Sequence, residues 1–155
     1  MALEIWTTGS TYGTYTSVTS TEVNSLANGD AVLGTVAINN SSNGDTYGKI
    51  SISLGSVTSG ANAPNIGIYL YPLNEDASTY GDGRFGTAAA GQPPSSYLVG
   101  IIPVPASTTG VIVGSTGLFP LELLEYKVVI YNNAGVALAS SSNTVKMQTF
   151  KLQVS

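Results

Sequence analysis

The sequence predicts an all-β fold, an antiparallel β-sandwich with a jelly-roll-like arrangement. Short runs of strand-favouring residues are separated by turn residues about every 8 to 12 positions, which is the spacing found in sandwich proteins. The 18 glycines and 7 prolines lie mostly between these runs. Helix signals are nearly absent, because only residues 121–126 (LELLEY) contain a run of helix formers.

The strand signals are clearest in the middle of the chain. In residues 49–54 (KISISL) apolar and serine side chains alternate, as in a strand with one buried face. Residues 65–72 (NIGIYLYP) place aliphatic side chains inward and Tyr69 and Tyr71 outward. The prolines within residues 96–105 make that segment an edge strand or end it. The other predicted strands are residues 3–7, 12–20, 31–38, 110–113, 125–132, 136–140 and 144–154.

The last three of these strands form a predicted three-stranded meander. Within residues 144–154 the apolar pattern changes phase, because Val145 and Met147 share one parity while Phe150 has the other. A β-bulge would produce this change. So would a tail that leaves its own domain to lie on a neighbour, and the apolar, terminal position favours the tail.

A chain of 155 residues fits one domain. We expect a single β-sandwich over residues 1–155, in which residues 1–20 and 148–155 are candidate extended arms that contact neighbouring molecules. The first residues (MALEIWTTGSTYG) lack the basic and apolar regions of a signal peptide, so none is expected.

The composition argues against several function classes. The chain has no Cys and no His, which removes the commonest general base, thiol nucleophiles and thiolate metal sites. Five basic residues and a net charge of −4 argue against nucleic acid, whose phosphates need Lys and Arg. No apolar run approaches the roughly 20 residues that cross a bilayer. We expect no enzymatic activity, no cofactor, no nucleic-acid partner and no membrane partner.

Charge is scarce along the whole chain. Charged residues make up 9% of it, compared with about 25% in a typical domain, and none lies within residues 85–121. Two interpretations stay open, a surface solvated by hydroxyls and amides or a surface covered by partners.

The most charged segment is residues 67–86, which carry Glu75, Asp76, Asp82 and Arg84. The spacing does not fit an EF-hand loop, because the twelfth position is Thr87 rather than Glu. An irregular calcium site and a glycosidase-like pair of carboxylates remain alternatives, although nothing in the sequence indicates a cleft. A turn-rich, hairpin-like connection whose acids stay solvated or meet a partner is the interpretation we favour.

Two further features have both structural and functional interpretations. The nine tyrosines suit strands and protein interfaces, and Tyr69, Tyr71 and Tyr80 are close enough in sequence to form a sugar-stacking platform. Residues 87–100 (TAAAGQPPSSYLVG) form an uncharged arm stiffened by two prolines, which is either a docking loop or simply a long loop.

Three segments carry a resemblance to a known family. Residues 69–83 (YLYPLNEDASTYGDG), 93–105 (PPSSYLVGIIPVP) and 127–150 (KVVIYNNAGVALASSSNTVKMQTF) resemble, in the same order, segments of small virion proteins of tailed bacteriophages. The resemblance covers roughly residues 65–150, and it departs from the family at SSSNT, where SSGNT is expected. It implies a capsid decoration (cement) or head accessory protein, a β-rich oligomer with no catalytic residues.

The sequence therefore predicts a structural virion protein on the capsid exterior, made in the host cytoplasm. Its expected partners are the major capsid protein and other copies of itself, as a trimer or dimer. The alternatives are a glycan-binding or tail-fibre module and, more remotely, a hydrolase with two carboxylates. The expected contact residues are Trp6, Tyr12, Tyr15, Tyr71, Glu75, Asp76, Tyr80, Asp82, Arg84, Phe85, Phe150, Leu152 and Val154.

Overall fold

The computed structural model confirms the predicted all-β fold, in which two antiparallel sheets pack face to face as a β-sandwich. It describes the backbone of residues 4–8 and 15–154 and the side chains of residues 15–151. The first sheet contains β1 (Glu4–Thr8), β2 (Thr16–Ser17), β5 (Tyr47–Thr58), β9 (Thr109–Ser115), β10 (Phe119–Pro120) and β12 (Thr144–Val154). The second contains β3 (Asp30–Leu33), β4 (Ile38–Asn39), β6 (Asn65–Pro72), β7 (Ala89–Ala90), β8 (Leu98–Pro103) and β11 (Glu125–Asn133).

The strand order mixes early and late parts of the chain. The first sheet runs β1–β12–β5–β10, with β2 also on β12 and β9 also on β5. The second runs β7–β3–β11–β6–β8, with β4 also on β11. Strand β8 therefore lies at the edge of the second sheet, as its prolines predict. One 3-10 turn, Ser95–Tyr97, precedes β8, and the described residues contain no helix long and apolar enough to cross a membrane.

The core lies between the sheets and follows the alternation in the sequence. Ile50, Ile52 and Leu54 of β5 are buried against the inward residues of the second sheet, including Ile68 and Ile130. Burying one such aliphatic side chain contributes about 1.5–3 kcal/mol, so this layer stabilises the packing of the two sheets.

One predicted strand is divided in the structure. Residues 31–38 contribute to two strands rather than one, because the chain bends at Thr35 and Val36, just after Gly34, where a Cβ atom would lie 2.4 Å from the Val18 carbonyl oxygen. The helix formers at residues 121–126 give no helix, and Glu125 begins β11, as predicted.

The predicted meander is also wrong, since β11 and β12 belong to different sheets and residues 136–140 are not a strand. The connection between β11 and β12 is held by side-chain amides instead of by strand pairing. Asn132 donates to the carbonyl oxygens of Leu26 and Val136, each at 2.8 Å, and Asn143 donates to Ala139 at 2.7 Å. Both asparagines are buried. Their amides satisfy backbone carbonyl groups that would otherwise need partners in a strand ladder.

The C-terminal tail does not leave its own domain. The pairing of β12 with β5 continues without a register shift from Thr144 to Phe150, so no bulge accounts for the phase change. Residues 150–154 then pair with β1 of the same chain. The described parts of the candidate arms therefore pair within their own chain, β1 with residues 150–154 and β2 with Lys146 and Met147, and residues 1–3, 9–14 and 155 lie outside the described residues.

Candidate functional site

The charged segment forms a hairpin at the end of β6, as predicted. Leu73 and Tyr80 form an antiparallel bridge, and the Asn74 amide donates to the Thr79 carbonyl oxygen at 2.8 Å. The Gly81 amide donates back to Pro72 at 2.9 Å, which closes the base of the hairpin. Gly81 has a φ of 54°, in the left-handed region that favours glycine.

Asp76 builds the tip of this hairpin. Its Oδ1 accepts hydrogen bonds from the backbone amides of Ser78 at 2.9 Å and Thr79 at 2.8 Å. Hydrogen bonds from the Thr79 side chain and from these amides lower the pKa of Asp76 to about 2. The carboxylate is fully exposed, so its charge closes a turn while it remains solvated.

Tyr80 joins the hairpin to the outer face of the second sheet. Its hydroxyl donates to Glu125 Oε1, and the Lys127 ammonium lies 4.7 Å from the centre of its ring. Burial, and then the hydrogen bond to the Glu125 carboxylate, raise the pKa of Tyr80 to about 12. Glu125 therefore serves as a hydrogen-bond acceptor within the fold.

Tyr71 and Phe85 are not exposed contact residues, contrary to the expectation from the sequence. Both are 1% exposed, and their rings meet edge to face with centroids 6.3 Å apart. Tyr97, from the 3-10 turn, packs on the other side of Tyr71 at 4.6 Å. Tyr69 is also 1% exposed, so the predicted row of exposed tyrosines for sugar stacking does not form on β6.

The uncharged arm 87–100 covers this sheet. Its Ala89–Ala90 pairs with β3, and Gln92 Nε2 donates to the Tyr69 hydroxyl at 3.1 Å. Pro93 is buried as well. Of the two interpretations of the arm, the structural one accounts for these contacts.

A cavity of about 240 Å³ remains between the hairpin and the sheet. Its lining includes Tyr71, Tyr80, Phe85 and Lys127. The buried Tyr71 hydroxyl has no hydrogen-bond partner, and burial, with a smaller contribution from the Asp82 carboxylate, raises its pKa. Within residues 15–151, no group of three or more acidic side chains is placed to hold a metal ion.

The other expected contact residues are dispersed. Glu75, Asp76, Asp82 and Arg84 are exposed on the hairpin and the turn after it, where Arg84 lies over the Phe85 ring at 5.2 Å. Phe150 is half-buried on β12. Trp6, Leu152 and Val154 lie on described strands, but their side chains are outside the described residues, as is all of Tyr12.

Tyr15 is 38% exposed, beside a shallow groove of about 360 Å³ on the outer face of the first sheet. The groove is otherwise lined by Ser51, Ile52, Ser53, Thr144 and Lys146. An exposed ring beside several hydroxyl groups is the kind of surface on which sugars stack.

Sequence reasoning missed an apolar surface at the free edges of the sandwich. Strand β8 is the edge of the second sheet, and β9 pairs only with β5 among the described residues. Ile101 of β8 is 57% exposed, and Val111 and Val113 of β9 are 57% and 69% exposed. Because Ile102 and Ile112 face the core, Ile101 lies on the outer face of the second sheet, whereas Val111 and Val113 share the outer face of the first, and we call Val111 and Val113 the edge patch. The absence of charge at residues 85–121 was the available signal, because both strands come from that stretch.

A second apolar surface lies at one end of the sandwich. Leu123 is 64% exposed and Leu124 is 38% exposed, beside a groove of about 340 Å³ that also includes Leu73. We call these three leucines the end patch. Polar side chains of Asn39, Ser41, Asn74, Glu75 and Glu125 surround it.

The two patches are far apart along β5. Val113 pairs with Ser53, whereas the Leu121 amide, next to the end patch, donates to the Thr46 carbonyl oxygen at 2.9 Å. Seven residues of extended chain separate Thr46 from Ser53, which corresponds to about 23 Å. The edge patch and the end patch therefore lie at different points along β5, and Leu118, which is 52% exposed, lies between them. No family model matches the chain, and a comparison with curated proteins finds no match.

Proposed function

We propose that this chain is a structural protein of a tailed-phage particle, a decoration protein that binds the major capsid protein on the outside of the shell and reinforces it. The observation that carries the proposal is the pair of separate apolar surfaces, the edge patch and the end patch. A protein that ties subunits together must contact at least two neighbours, and two surfaces about 23 Å apart allow this. Exposed apolar patches on soluble proteins commonly mark such contacts.

The strand order supports the finer assignment of the sandwich as a jelly roll. We count β1 with β2, β3 with β4, and β9 with β10, and omit the short β7, which leaves eight principal strands. The first sheet then has the order first, eighth, third, sixth, and the second has the order second, seventh, fourth, fifth. Two nested Greek keys produce this order, and jelly rolls of this kind occur in viral capsid and lectin domains. Fold alone does not decide between those functions.

The charged groups support a structural role rather than a catalytic one. Asp76 closes its own turn, and Glu125 accepts the Tyr80 hydroxyl. The segments that resemble virion proteins also have structural roles here. Residues 69–83 form the end of β6 and the hairpin, and Asn132 and Asn143 of residues 127–150 hold the connection between the sheets.

Sedimentation with emptied heads of the parent phage tests the proposal. Because the end patch is apolar, we expect the chain to pellet with the heads in low and high salt alike. Leu123→Lys is expected to reduce the bound fraction strongly. Val36→Lys is the matched control, because Val36 is exposed outside both patches. Binding that disappears in high salt, or that Leu123→Lys leaves unchanged, would contradict a contact through the end patch.

A glycan-binding module is the second candidate, and the groove beside Tyr15 is the observation that favours it. A glycan array gives the direct test, with Tyr15→Ala as the diagnostic variant. Array signals that disappear in Tyr15→Ala would favour this candidate. An array without signals would remove it.

A further inference from the structure

We propose that two copies of the chain pair through the free edge of β9. The two β9 strands run antiparallel, Val113 of each copy lies at the two-fold axis, and the first sheet continues from one sandwich into the other. This pairing deepens the proposed function by supplying the homo-oligomer. It does not require a shell, so its failure and the failure of shell binding can be distinguished.

The hydrogen-bonding pattern leaves one edge of β9 open. The Thr116 amide donates to the Ile50 carbonyl oxygen at 2.8 Å, which fixes the phase of the ladder between β9 and β5. In an antiparallel ladder alternate residues bond to the same neighbour. The backbone groups of Ile112 and Gly114 therefore face β5, and those of Val113 and Ser115 face away from it. Among the described residues no strand pairs with that side of β9.

The sequence of β9 does not protect this edge. Natural edge strands usually carry charges, prolines or bulges that prevent pairing with another chain. Strand β8 has such features, because its register shifts opposite Ile68 and Tyr69 and it ends at Pro103. Strand β9 (TGVIVGS) is seven residues long and contains neither proline nor a charged residue, and the register shift in its ladder, between Leu54 and Val57, places the extra residue in β5 rather than in β9. It therefore suits strand addition.

Self-complementarity identifies the partner as a second copy of this chain. With Val113 on the axis, Val111 of one copy faces Ser115 of the other, and Ile112 faces Gly114. The exposed Val111 and Val113 side chains then form one apolar cluster on the outer face. Two copies that each carry a net charge of −4 bring no like charges together at this seam, because residues 85–121 are uncharged. Isologous contact of this kind is the commonest form of homodimer.

The inward face of β9 is already packed against the core, so β9 cannot move inward to bury its exposed side chains. A Cβ atom on Gly114 would lie 2.5 Å from Ile102 Cγ2, and Ile112 is only 5% exposed. The unpaired surface of β9 is therefore its edge and its outer face.

Cysteine cross-linking tests the axis directly, because the natural chain has no cysteine. Val113→Cys is expected to give a disulfide-linked dimer on mild oxidation, since paired residues lie about 5.5 Å apart between Cα atoms. Ser53→Cys is the matched control. Ser53 is exposed and sits opposite Val113 on β5, so the two Ser53 positions would be about 14 Å apart across the seam and cannot be bridged.

The register has its own test. Val111→Cys alone should not cross-link, whereas an oxidised mixture of Val111→Cys and Ser115→Cys should form the mixed dimer. Cross-linking of Val113→Cys no better than that of Ser53→Cys, or failure of the mixture to cross-link, would overturn the proposed pairing.

Mass in solution tests the same surface without oxidation. Light scattering over a range of protein concentrations should give twice the chain mass for the natural protein. It should give half of that value for Val113→Lys, which places two ammonium groups together at the axis. Leu123→Lys is the matched control and should remain dimeric. A natural chain that is monomeric or trimeric, or a Val113→Lys variant that keeps the full mass, would overturn the proposal.

Discussion

Replacing Phe85 with alanine tests whether this residue holds the hairpin and the following arm on the second sheet. The ring is 1% exposed and meets Tyr71 edge to face. The backbone at Phe85 is also bonded to the second sheet, because the Leu33 amide donates to the Phe85 carbonyl oxygen at 2.7 Å. Alanine would remove the ring and leave this backbone hydrogen bond as the main local restraint.

The size of the effect follows from the burial of the ring. A Phe→Ala change in a protein core costs about 3–5 kcal/mol, of which an aromatic pair accounts for about 0.5–1.5 kcal/mol. The cavity of about 240 Å³ beside Phe85 gives the neighbouring groups room to relax. We therefore expect a loss at the lower end, about 3 kcal/mol in the free energy of unfolding.

Urea unfolding measures that loss. Hydrogen exchange of the Leu33 amide reports whether the hairpin and the following arm separate locally from the second sheet. Phe85→Leu is the matched control, because it keeps most of the apolar volume and should lose less than half as much stability. If Phe85→Ala lowers the free energy of unfolding by less than about 1 kcal/mol and leaves exchange at Leu33 unchanged, Phe85 does not hold the hairpin and the arm on the second sheet.

Four other expectations follow from particular residues. Ser142→Gly should raise the free energy of unfolding by about 0.5–1 kcal/mol, because Ser142 has a φ of 63°, and Ser141→Gly should not. Asn132→Ala should lower it by about 2–3 kcal/mol in urea unfolding, because two carbonyl groups lose their donor. The Asp76 carboxyl has a folded pKa of about 2 against an ordinary 3.8, so its stabilising contribution is present above pH 3.8 and is lost as the pH falls towards 2. Unfolding of Asp76→Ala should accordingly depend less on pH in that window. Tyr80 titrates near 12 instead of 10.0, so stability should fall as the pH rises between these values, and Tyr80→Phe should remove a late phenolate step from the ultraviolet titration.

Strong local patterns were sufficient to locate several strands. The predicted segments 65–72 and 144–154 match β6 and β12 in both bounds. Each combines strand-favouring residues with turn residues before it, so local preference and tertiary pairing agree. The two faces of β6 were also predicted correctly, because Ile66, Ile68 and Leu70 pack in the core between the sheets whereas Tyr69 and Tyr71 pack in a separate cluster.

Features set by distant contacts were not predictable in the same way. The outward position of Tyr71 was clear, but its burial depends on Phe85 and Tyr97, which come from a later loop. Residues 136–140 have strand-like composition, yet the amides of Asn132 and Asn143 hold them in an irregular connection. Side-chain to backbone bonds of this type compete with ladders and leave no periodic signal.

The candidate surfaces were also only partly predictable from the sequence. The uncharged stretch at residues 85–121 was evident from composition, whereas its arrangement as two edge strands required the strand order. The end patch joins Leu73 to Leu123 and Leu124, which are about fifty positions away in sequence. No local pattern identifies such a surface.

Hydrogen exchange of the chain, alone and mixed with emptied heads of the phage that the proposed function requires, is the most direct test of that proposal. If the protein reinforces the shell through the end patch, binding should slow exchange at residues 121–124, whereas β9, already paired in the proposed dimer, should exchange slowly in the free and the bound protein alike. Exchange at the exposed hairpin tip around Asp76 should stay unchanged. Protection confined to the hairpin, or no protection in the presence of heads, would contradict the proposed role.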